Sequence, residues 1–547
     1  MSDVLEVGGT GVRGARAGFF TRERTIARPG YNRWFSVPAA VGIHLCIGMA
    51  YGASVFWLPM SHLIADAPAT CATQGFFAEL TTRSCNWSVS SETAVFEIFI
   101  FFLGISAAIW GGWLERAGPR KVGCIAALCW GGGLILMALA VQAHLLWLVY
   151  LFAVLCGVGG GLGYITPVST LIKWFPDRRG MATGFAIFGY GGGAMVGAPL
   201  ADWLMKHFAG NGVPGVVPTL LIMGVVYLIG ILVAAIGFRV PPNGWKPAGW
   251  TPPATTNAMI SQRHVHLRSA WRTPQFWCIW AVLFLNVTAG ISMVSVASPM
   301  FQDLFGSKLL GLSGTGALTA TQKASVATAA AGLVGLISLF NCLGRLFWAW
   351  LSDWIGRRNI WFIMLGLGAL LYATMPSLGH LGLAALFVLS VCIILSMYGG
   401  VFASLPAYLA DMFGTQFVGA IHGRLITAWG FASVVGPILI TSIRQFQLDH
   451  GVAHSHVYDA TLYIMACFLV AAFIFNGLVR PVNPVVQMSD EELARERALR
   501  HEDRVAANAE TAARGRVGAG VVIAWLAVGI PFAWGLCIAV QNAVKLF

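Results

Sequence analysis

The sequence has 547 residues, of which 57% are hydrophobic and only 10% are charged, and its formal net charge is +12. Soluble domains carry about 25% charged residues, so this composition excludes a soluble globular protein. Many apolar runs reach about 20 residues, the length that an α-helix needs to cross a membrane. Barrel strands are shorter and alternate in polarity, so these runs predict an all-α membrane protein.

Thirteen such runs follow one another along the chain. Their cores lie at 38–60, 93–113, 122–142, 145–172, 181–205, 217–238, 275–300, 324–351, 359–378, 382–410, 421–443, 459–479 and 518–543. The runs and the polar stretches between them predict six segments. These are an N-terminal tail (1–37), a six-helix half (38–240), a linker (241–273), a second six-helix half (274–480), a charged helical segment (481–517) and an additional transmembrane helix (518–547).

The basic residues indicate the orientation in the membrane. Most of the 34 Lys and Arg share one side if the N-terminus is cytoplasmic, as the positive-inside rule requires. The tail has no apolar core before a cleavage site, so it reads as a cytoplasmic tail and not as a signal peptide. The positive charge therefore predicts membrane topology and no nucleic-acid partner.

Cys71 and Cys85 lie in the first predicted outer loop, "ATCATQGFFAELTTRSCNW". They could form a disulfide in an oxidising compartment. Because sequence spacing does not establish the required geometry, two free thiols remain an equal alternative.

The two halves repeat each other. The loop after the second run reads "GGWLERAGPRKVG", and the loop after the eighth reads "AWLSDWIGRRNI". Glu115 and Asp353 are separated by the same interval as Arg120 and Arg358. Six-helix halves related in this way are typical of transporters whose site lies near the membrane midplane, between the halves. The charged residues of the two loops predict a cytoplasmic latch, and they are Glu115, Arg116, Arg120, Asp353, Arg357 and Arg358.

The Gly-rich runs "GVGGGLGY" and "GYGGGAMVG" follow no strand of a βαβ unit, so they do not predict a phosphate site. The sequence shows no metal-ligand spacing and no nucleophile elbow, so we expect neither an enzyme nor a bound metal or cofactor. The stretch "SDEELARERALRHEDRVAANAE" alternates acids and bases and is typical of a solvated helix, with a partner-docking arm as the alternative.

The two loops resemble the GxLxDRxGRR motif of the major facilitator superfamily, whose twelve-helix fold would cover residues 38–480. "TPQFWCIWAVLFLNVTAGISMVSVASPM", "FNCLGRLFWAWLSD" and "KWFPDRRGMATGFAIFGYGGGAMVGAP" closely resemble the oxalate:formate antiporter (OFA) family. The resemblance implies a carrier of small carboxylates in a bacterial inner membrane, working by anion exchange or with protons. The thirteenth run resembles a small single-helix protein that accompanies some such transporters, here fused as an anchor or a regulator.

The resemblance also implies site residues. The oxalate carrier uses an Arg and a Lys, which match Arg345 and Trp429 in this chain. Related lactate transporters pair the Arg with an Asn and a Tyr, which match Asn341 and Tyr164. The resemblance therefore favours a monocarboxylate over oxalate.

Arg345 also stands out by its chemistry. A charge at membrane depth costs about 3 to more than 10 kcal/mol, so the side chain should face the bundle interior or water. A guanidinium can hold a carboxylate with two parallel hydrogen bonds. The alternative is that Arg345 snorkels to the cytoplasm, since Asp353 is about 12 Å away along a helix. Asn341, one turn earlier, is predicted to bind the same carboxylate, to fix the guanidinium or to bond a neighbouring helix.

Aromatic residues are predicted to enclose the substrate, although each alone could simply pack between helices. This set comprises Tyr51, Tyr164, Tyr190, Tyr398, Phe402 and Trp429. Glu97 and His44 are candidates for a coupling proton, because a buried Glu or a His can titrate near neutral pH. Their alternatives are a Glu that reaches outer water and a His bonded to a neighbouring helix.

Together these features predict a secondary active transporter of small monocarboxylates such as lactate, pyruvate or formate. We expect a monomeric carrier in the lipid bilayer that works by alternating access, with proton symport or anion exchange. An oxalate:formate antiporter is the alternative, and a transporter-like carboxylate sensor is a third reading.

Overall fold

The structure is a computed structural model. It describes residues 18–64, 76–210, 213–242, 244–251, 257–309, 319–453, 456–499 and 518–544. Cys71 and the last part of the charged segment, residues 500–517, lie outside these ranges.

In the described part of the chain, thirteen helices are long and apolar enough to cross a membrane, as the sequence predicts. The first half contains α1 (Arg33–Met60), α2 (Val89–Ala117), α3 (Pro119–Gln142), α4 (Leu146–Trp174), α5 (Arg179–His207) and α6 (Val216–Gly237). The second contains α7 (Pro274–Leu309), α8 (Ala320–Ile355), α9 (Arg357–His380), α10 (Ala384–Phe413), α11 (Val418–Asp449) and α12 (Asp459–Leu478). The additional helix is α13 (Ala519–Val544).

The packing repeats along with the sequence. In the first half α1 packs on α5, α2 on α4 and α3 on α6; in the second half α7 packs on α11, α8 on α10 and α9 on α12. Between the halves, α5 packs on α8 and α2 packs on α11. The two halves are therefore one architecture used twice, and equivalent helices form the interface between them.

Two helices that line this interface depart from regular α geometry. In α1, residues Gly48–Phe56 form a 3₁₀ segment between two α-helical parts, and Tyr51 lies within it. In α11, the helix is interrupted at Ile426, between Val418–Leu425 and Thr427–Asp449. A mid-helix 3₁₀ stretch is a common site of hinge motion.

The additional helix α13 packs across the interface, against α5, α8 and α1. Phe532 of α13 stacks on Phe188 of α5, with ring centroids 4.5 Å apart. A β-carbon at Gly192 would lie 2.8 Å from the Phe532 ring, so a larger residue there would require that ring to shift. The opposite side of α13 is largely exposed, as expected for a helix that faces lipid.

We define the motif end of the bundle as the end where Glu115 and Asp353 lie. The opposite end carries the segment between α1 and α2, where Cys85 is disulfide-bonded. Next to it, the side chain of Asn86 makes two hydrogen bonds with the backbone of Ile64: it accepts from the N–H group and donates to the carbonyl oxygen. His144 stacks on Trp87 and bonds to the Cys85 carbonyl oxygen over 2.8 Å.

Candidate functional site

Arg345 lies inside the bundle, with 1% of its surface exposed, so it does not snorkel. Its Nε and Nη2 donate to Asn341 Oδ1 over 3.2 and 3.1 Å, and its Nη1 donates to the Ile187 carbonyl oxygen over 3.4 Å. Asn341 is itself oriented by a hydrogen bond from its Nδ2 to the Leu395 carbonyl oxygen. Among the residues that the structure describes, the guanidinium has no carboxylate partner. Uncharged acceptors thus hold the cation in place and leave its charge uncompensated.

Space for the guanidinium comes from α5. A β-carbon at Gly191 would lie 2.7 Å from Arg345 Nε, and one at Gly184 would lie 3.1 Å from the Arg345 carbonyl oxygen. Such distances are below normal contact, so α8 can approach α5 this closely only because these positions are glycines. The Gly-rich run therefore makes room for a charged side chain at the interface between the halves.

All six predicted aromatic residues surround this position, and they come from both halves. The Arg345 Cζ lies 5.9 to 6.0 Å from the ring centroids of Tyr51, Tyr190 and Phe402. Trp429 contacts Tyr190 at 5.4 Å and Phe402 at 5.0 Å between centroids. The remaining two connect to the same cluster, since Tyr164 lies 5.3 Å from Tyr190 and Tyr398 lies 5.4 Å from Phe402. The rings form a closed aromatic enclosure around one cation.

Besides the bond from Arg345 to Ile187, a hydrogen bond between the hydroxyl oxygens of Tyr51 and Tyr398, 3.2 Å apart, joins the halves within the enclosure. On the predicted aromatic residues, three polar atoms are buried without a hydrogen-bond partner in the described part of the chain, namely Tyr164 Oη, Tyr190 Oη and Trp429 Nε1. Leaving a buried donor unpaired costs about 1 to 3 kcal/mol, so native proteins rarely do so without a functional reason. The enclosure therefore holds a fixed cation and three donors that lack acceptors.

His422 of α11 also belongs to this cluster, although the sequence did not predict it as a site residue. Its ring lies 5.7 Å from the Tyr164 ring, it is fully buried, and both ring nitrogens lack partners. The alignment of the two halves puts His422 opposite Thr183. That change from a hydroxyl to an imidazole between halves is the signal that could have identified it.

The two proton candidates lie in different places. His44 is fully buried beside Tyr164, and its Nε2 lies 3.0 Å from the Tyr164 carbonyl oxygen, while its Nδ1 contacts the Ala186 carbonyl oxygen. Glu97 instead interacts with Tyr150, which precedes Tyr164 on α4 by about 21 Å of helix. Only His44 is therefore close to Arg345.

A separate cavity of about 90 Å³ lies inside the first half, towards the opposite end. Its walls are largely apolar and include Glu92, whose two carboxylate oxygens are buried without hydrogen-bond partners among the described residues. Glu92 is also close enough to the buried Glu79 to interact with it electrostatically. This cavity shares no lining residue with the enclosure around Arg345.

At the motif end, the second loop binds the N-terminus of α5. The Asp353 carboxylate accepts hydrogen bonds from the backbone N–H groups of Gly180 and Met181, both over 2.9 Å. Arg357 pairs with Asp353 and with Asp411. Asp411 in turn pairs with Arg179 of the first half over 2.8 Å. An acid at a helix N-terminus is stabilised by the unpaired N–H groups there, and these contacts join the two halves at the motif end.

The first loop makes the equivalent contact with α11. Glu115 accepts from Ser169 and Lys173 of its own half over 2.9 and 2.6 Å. A β-carbon at Gly419, in the first turn of α11, would lie 2.7 Å from Glu115 Oε1. Gly180 and Gly419 occupy matching places in the repeat, so each acid faces the start of the equivalent helix in the other half.

Three of the predicted latch residues do not contact the other half in the described structure. Arg120 donates to the Phe19 carbonyl oxygen and stacks on its ring, which ties the N-terminal tail to α3. Arg358 donates to the carbonyl oxygens of Asn476 and Gly477 at the end of α12. Arg116 is exposed. Two arginines of the motif thus bind backbone acceptors, in the tail for Arg120 and in the same half for Arg358. A latch role for these three residues stays a prediction.

Comparisons with known proteins bear on this geometry. The sequence model of the Major Facilitator Superfamily matches residues 40–437. The chain is 27% identical to the oxalate:formate antiporter of Oxalobacter formigenes, over 85% of this chain and 96% of that protein. It is also 27% identical to apicoplast pyruvate carrier 1 of Toxoplasma gondii, over 73% of this chain and 83% of that protein. The solved fucose:proton symporter of Escherichia coli matches with a TM-score of 0.55 at 12% identity, covering 83% of this chain and 100% of that one.

Proposed function

Since the chain belongs to the Major Facilitator Superfamily, we propose that this membrane transporter carries small monocarboxylates such as lactate, pyruvate or formate. The observation that carries the proposal is Arg345, a cation that has no carboxylate partner among the described residues and is enclosed by aromatic residues from both halves. The similarity to a carboxylate antiporter and to a pyruvate carrier supports the same substrate class.

The enclosure suits one carboxylate with a small substituent. The outer face of the guanidinium offers N–H donors to one or both carboxylate oxygens. Tyr164, Tyr190 and Trp429 have donors without acceptors, and these would bond the remaining oxygen or an α-hydroxyl or α-keto group. Water is excluded by the rings, so each of these bonds is stronger than it would be in bulk solvent.

Alternating access would follow from the charge. An empty carrier must reorient with an unpaired cation in a closed bundle, whereas a bound monoanion neutralises that cation. Rocking of the halves would then break the contacts of Asp353 and Glu115 with the start of α5 and α11 at the motif end. The closed motif end makes this conformation one in which access from that end is blocked.

We propose that the motif end is cytoplasmic, with the N-terminus on the same side, in a bacterial inner membrane. The distribution of Lys and Arg supports this orientation. An independent feature is the disulfide at Cys85, because disulfides persist in oxidising compartments and that residue lies at the opposite end.

For proton coupling, the geometry favours His44 over Glu97. Both ring nitrogens of His44 face carbonyl oxygens, and only a doubly protonated ring can donate to both. The positive charge of Arg345 opposes a second charge nearby until a carboxylate neutralises it. Binding of the anion and of the proton would therefore favour each other, which is what symport requires.

Substitution of Arg345 by Gln tests the proposal. We expect the purified variant to keep its elution profile and melting temperature within a few degrees but to lose lactate, pyruvate and formate uptake in proteoliposomes. Arg358→Gln is the matched control and should keep uptake, because it removes an arginine at the start of α9 that bonds backbone oxygens at the end of α12. Full transport by Arg345→Gln would contradict the site, and binding without flux in the unmodified protein would favour a sensor.

The second candidate is oxalate:formate exchange, which the similarity to the Oxalobacter formigenes antiporter favours. Two carboxylates would call for a second cation, and Trp429 occupies the position where the resemblance expects a Lys. Thermal stabilisation by lactate, pyruvate, formate and oxalate separates the two candidates. Greater stabilisation by oxalate than by any monocarboxylate would overturn the monocarboxylate assignment.

A further inference from the structure

Three side chains converge at the opposite end of the second half, away from the Arg345 enclosure. His380 is the last residue of α9, Asp459 is the first residue of α12, and His456 lies in the turn before it. His380 Nε2 and His456 Nδ1 each lie 3.0 Å from the same oxygen, Asp459 Oδ2. The two imidazole rings meet edge to face, with centroids 4.2 Å apart.

This convergence is brought about by the helix packing. Because α9 packs antiparallel along α12, the C-terminal end of one helix lies beside the N-terminal end of the other. His380 is far from the other two in sequence, so a search for short ligand spacings finds no metal site here. The fold assembles a set that the sequence does not show.

We propose that His380, His456 and Asp459 form a binding site for a zinc ion. One ligand atom from each residue lies within 4.8 Å of the others. Two ligands of a tetrahedral zinc ion, each about 2.0 to 2.1 Å from the metal, are about 3.3 Å apart. The observed separations of 3.0 Å between the ring nitrogens and the carboxylate oxygen need only a small expansion to reach that geometry.

The donor set selects the metal. Two imidazoles and one carboxylate suit zinc and neighbouring transition metals, whereas magnesium and calcium prefer oxygen ligands. Each neutral imidazole would bind the metal through the nitrogen that now faces Asp459, with its proton on the other ring nitrogen. The side chains are 24% to 52% exposed, so water would complete the coordination and zinc could enter from solvent.

Bound zinc would join the α9 end to the segment that leads into α12. All three ligands belong to the second half, so the ion would stiffen that half without crossing the interface that opens during transport. The site is thus separate from carboxylate binding, and its test does not depend on the substrate.

Zinc titration of the full chain tests the proposal. The protein should be purified in detergent with a tag that contains no histidine, and binding of ZnCl₂ should be followed by calorimetry. We expect saturable binding of one Zn²⁺ per chain, unaffected by excess Mg²⁺. His380→Ala and His456→Ala should each weaken it by more than about tenfold, since losing even an outer-shell partner costs about 10- to 100-fold.

His450→Ala is the matched control. His450 lies near the same turn, but its ring contacts Phe446 at 4.1 Å and its Nδ1 bonds the Phe446 carbonyl oxygen. This variant should bind zinc as the unmodified protein does. No binding by the unmodified protein, or equal binding by His380→Ala at an unchanged melting temperature, would overturn the proposal and leave a hydrogen-bonded His–Asp cluster.

Discussion

The equivalent helices α2 and α8 share a backbone arrangement but differ in chemistry. Each ends in an acid that faces the start of a helix in the other half. Arg345 of α8 has Ala107 as its counterpart in α2, and the carbonyl oxygens of both face equivalent glycines, Gly184 and Gly423. The repeat therefore supplies the scaffold twice, whereas the charge is present once. This contrast shows that a buried charge can be added to a symmetric scaffold by changing one side chain and its surroundings.

The largest expected effect comes from placing the charge on the wrong helix. Ala107 is fully buried, and the first half offers no counterpart to the Asn341 amide, because Leu103 stands there. Ala107→Arg should therefore cost about 3 kcal/mol or more and abolish the folded protein. Fluorescence-detected size-exclusion chromatography measures the folded yield. A well-folded Ala107→Arg variant would show that either half can accommodate the charge.

A second substitution neutralises the charge of Arg345 without moving it. Asn341→Asp would put a carboxylate one turn from Arg345, where the amide oxygen now accepts two hydrogen bonds. The internal ion pair should raise the melting temperature and lower uptake more than about tenfold, a loss of about 1.4 kcal/mol or more in anion binding. Asn341→Leu is the control, and it should lower both quantities. Unchanged uptake by Asn341→Asp would mean that the substrate does not compete for the guanidinium.

The shared part of the comparison is tested at the motif end. Asp353→Asn and Glu115→Gln should each weaken closure, because a hydrogen bond to a charged group contributes about 1.5 to 3 kcal/mol. Spin labels are placed at the exposed positions 116 and 354, one in each half. Double electron–electron resonance then measures the distance between the two labels. Both variants should populate longer distances.

Arg358→Gln is the control for this experiment, because Arg358 bonds only to backbone oxygens of α12 in the described structure. Its distance distribution should match that of the unmodified protein. Equal widening in all three variants would mean that the motif stabilises each half internally and does not latch the two together.

The smallest effect concerns α13. Phe532→Ala removes a ring that packs on Phe188 and Gly192, and it should lower stability by about 1 to 3 kcal/mol, less than a fully buried Phe would. Uptake should stay within about twofold, as expected for an anchor. Ile530→Ala, on the exposed side of the same helix, is the control for melting temperature. Loss of uptake at an unchanged melting temperature would instead identify α13 as a regulator.

Much of this fold is predictable from the sequence, because apolar length reports membrane helices directly and the repeated loops report the symmetry. The aromatic residues were identified because the repeat and the resemblance marked their positions, and the structure brings all six around Arg345. Their role in substrate binding stays a prediction.

What the sequence could not predict depends on contacts between distant segments. The repeat shows that Glu115 and Asp353 are equivalent, but it does not show that their partners are helix N-termini. Hydropathy predicts that α13 exists but not where it packs, because its contact with α5 depends on Gly192. His422 was missed because a single imidazole in an apolar run gives no sign of which neighbours it lacks.

A side chain at each of the consecutive glycines 191, 192 and 193 would require a different neighbour to shift. A β-carbon would meet the guanidinium of Arg345 at the first, the Phe532 ring at the second and the backbone of Gly48 at the third. Sequence drift should therefore be restricted independently at each position. A related chain that lacks α13 also lacks the Phe532 ring, so only the steric constraint on the middle glycine is removed. We expect alanine at that position in chains without the thirteenth helix.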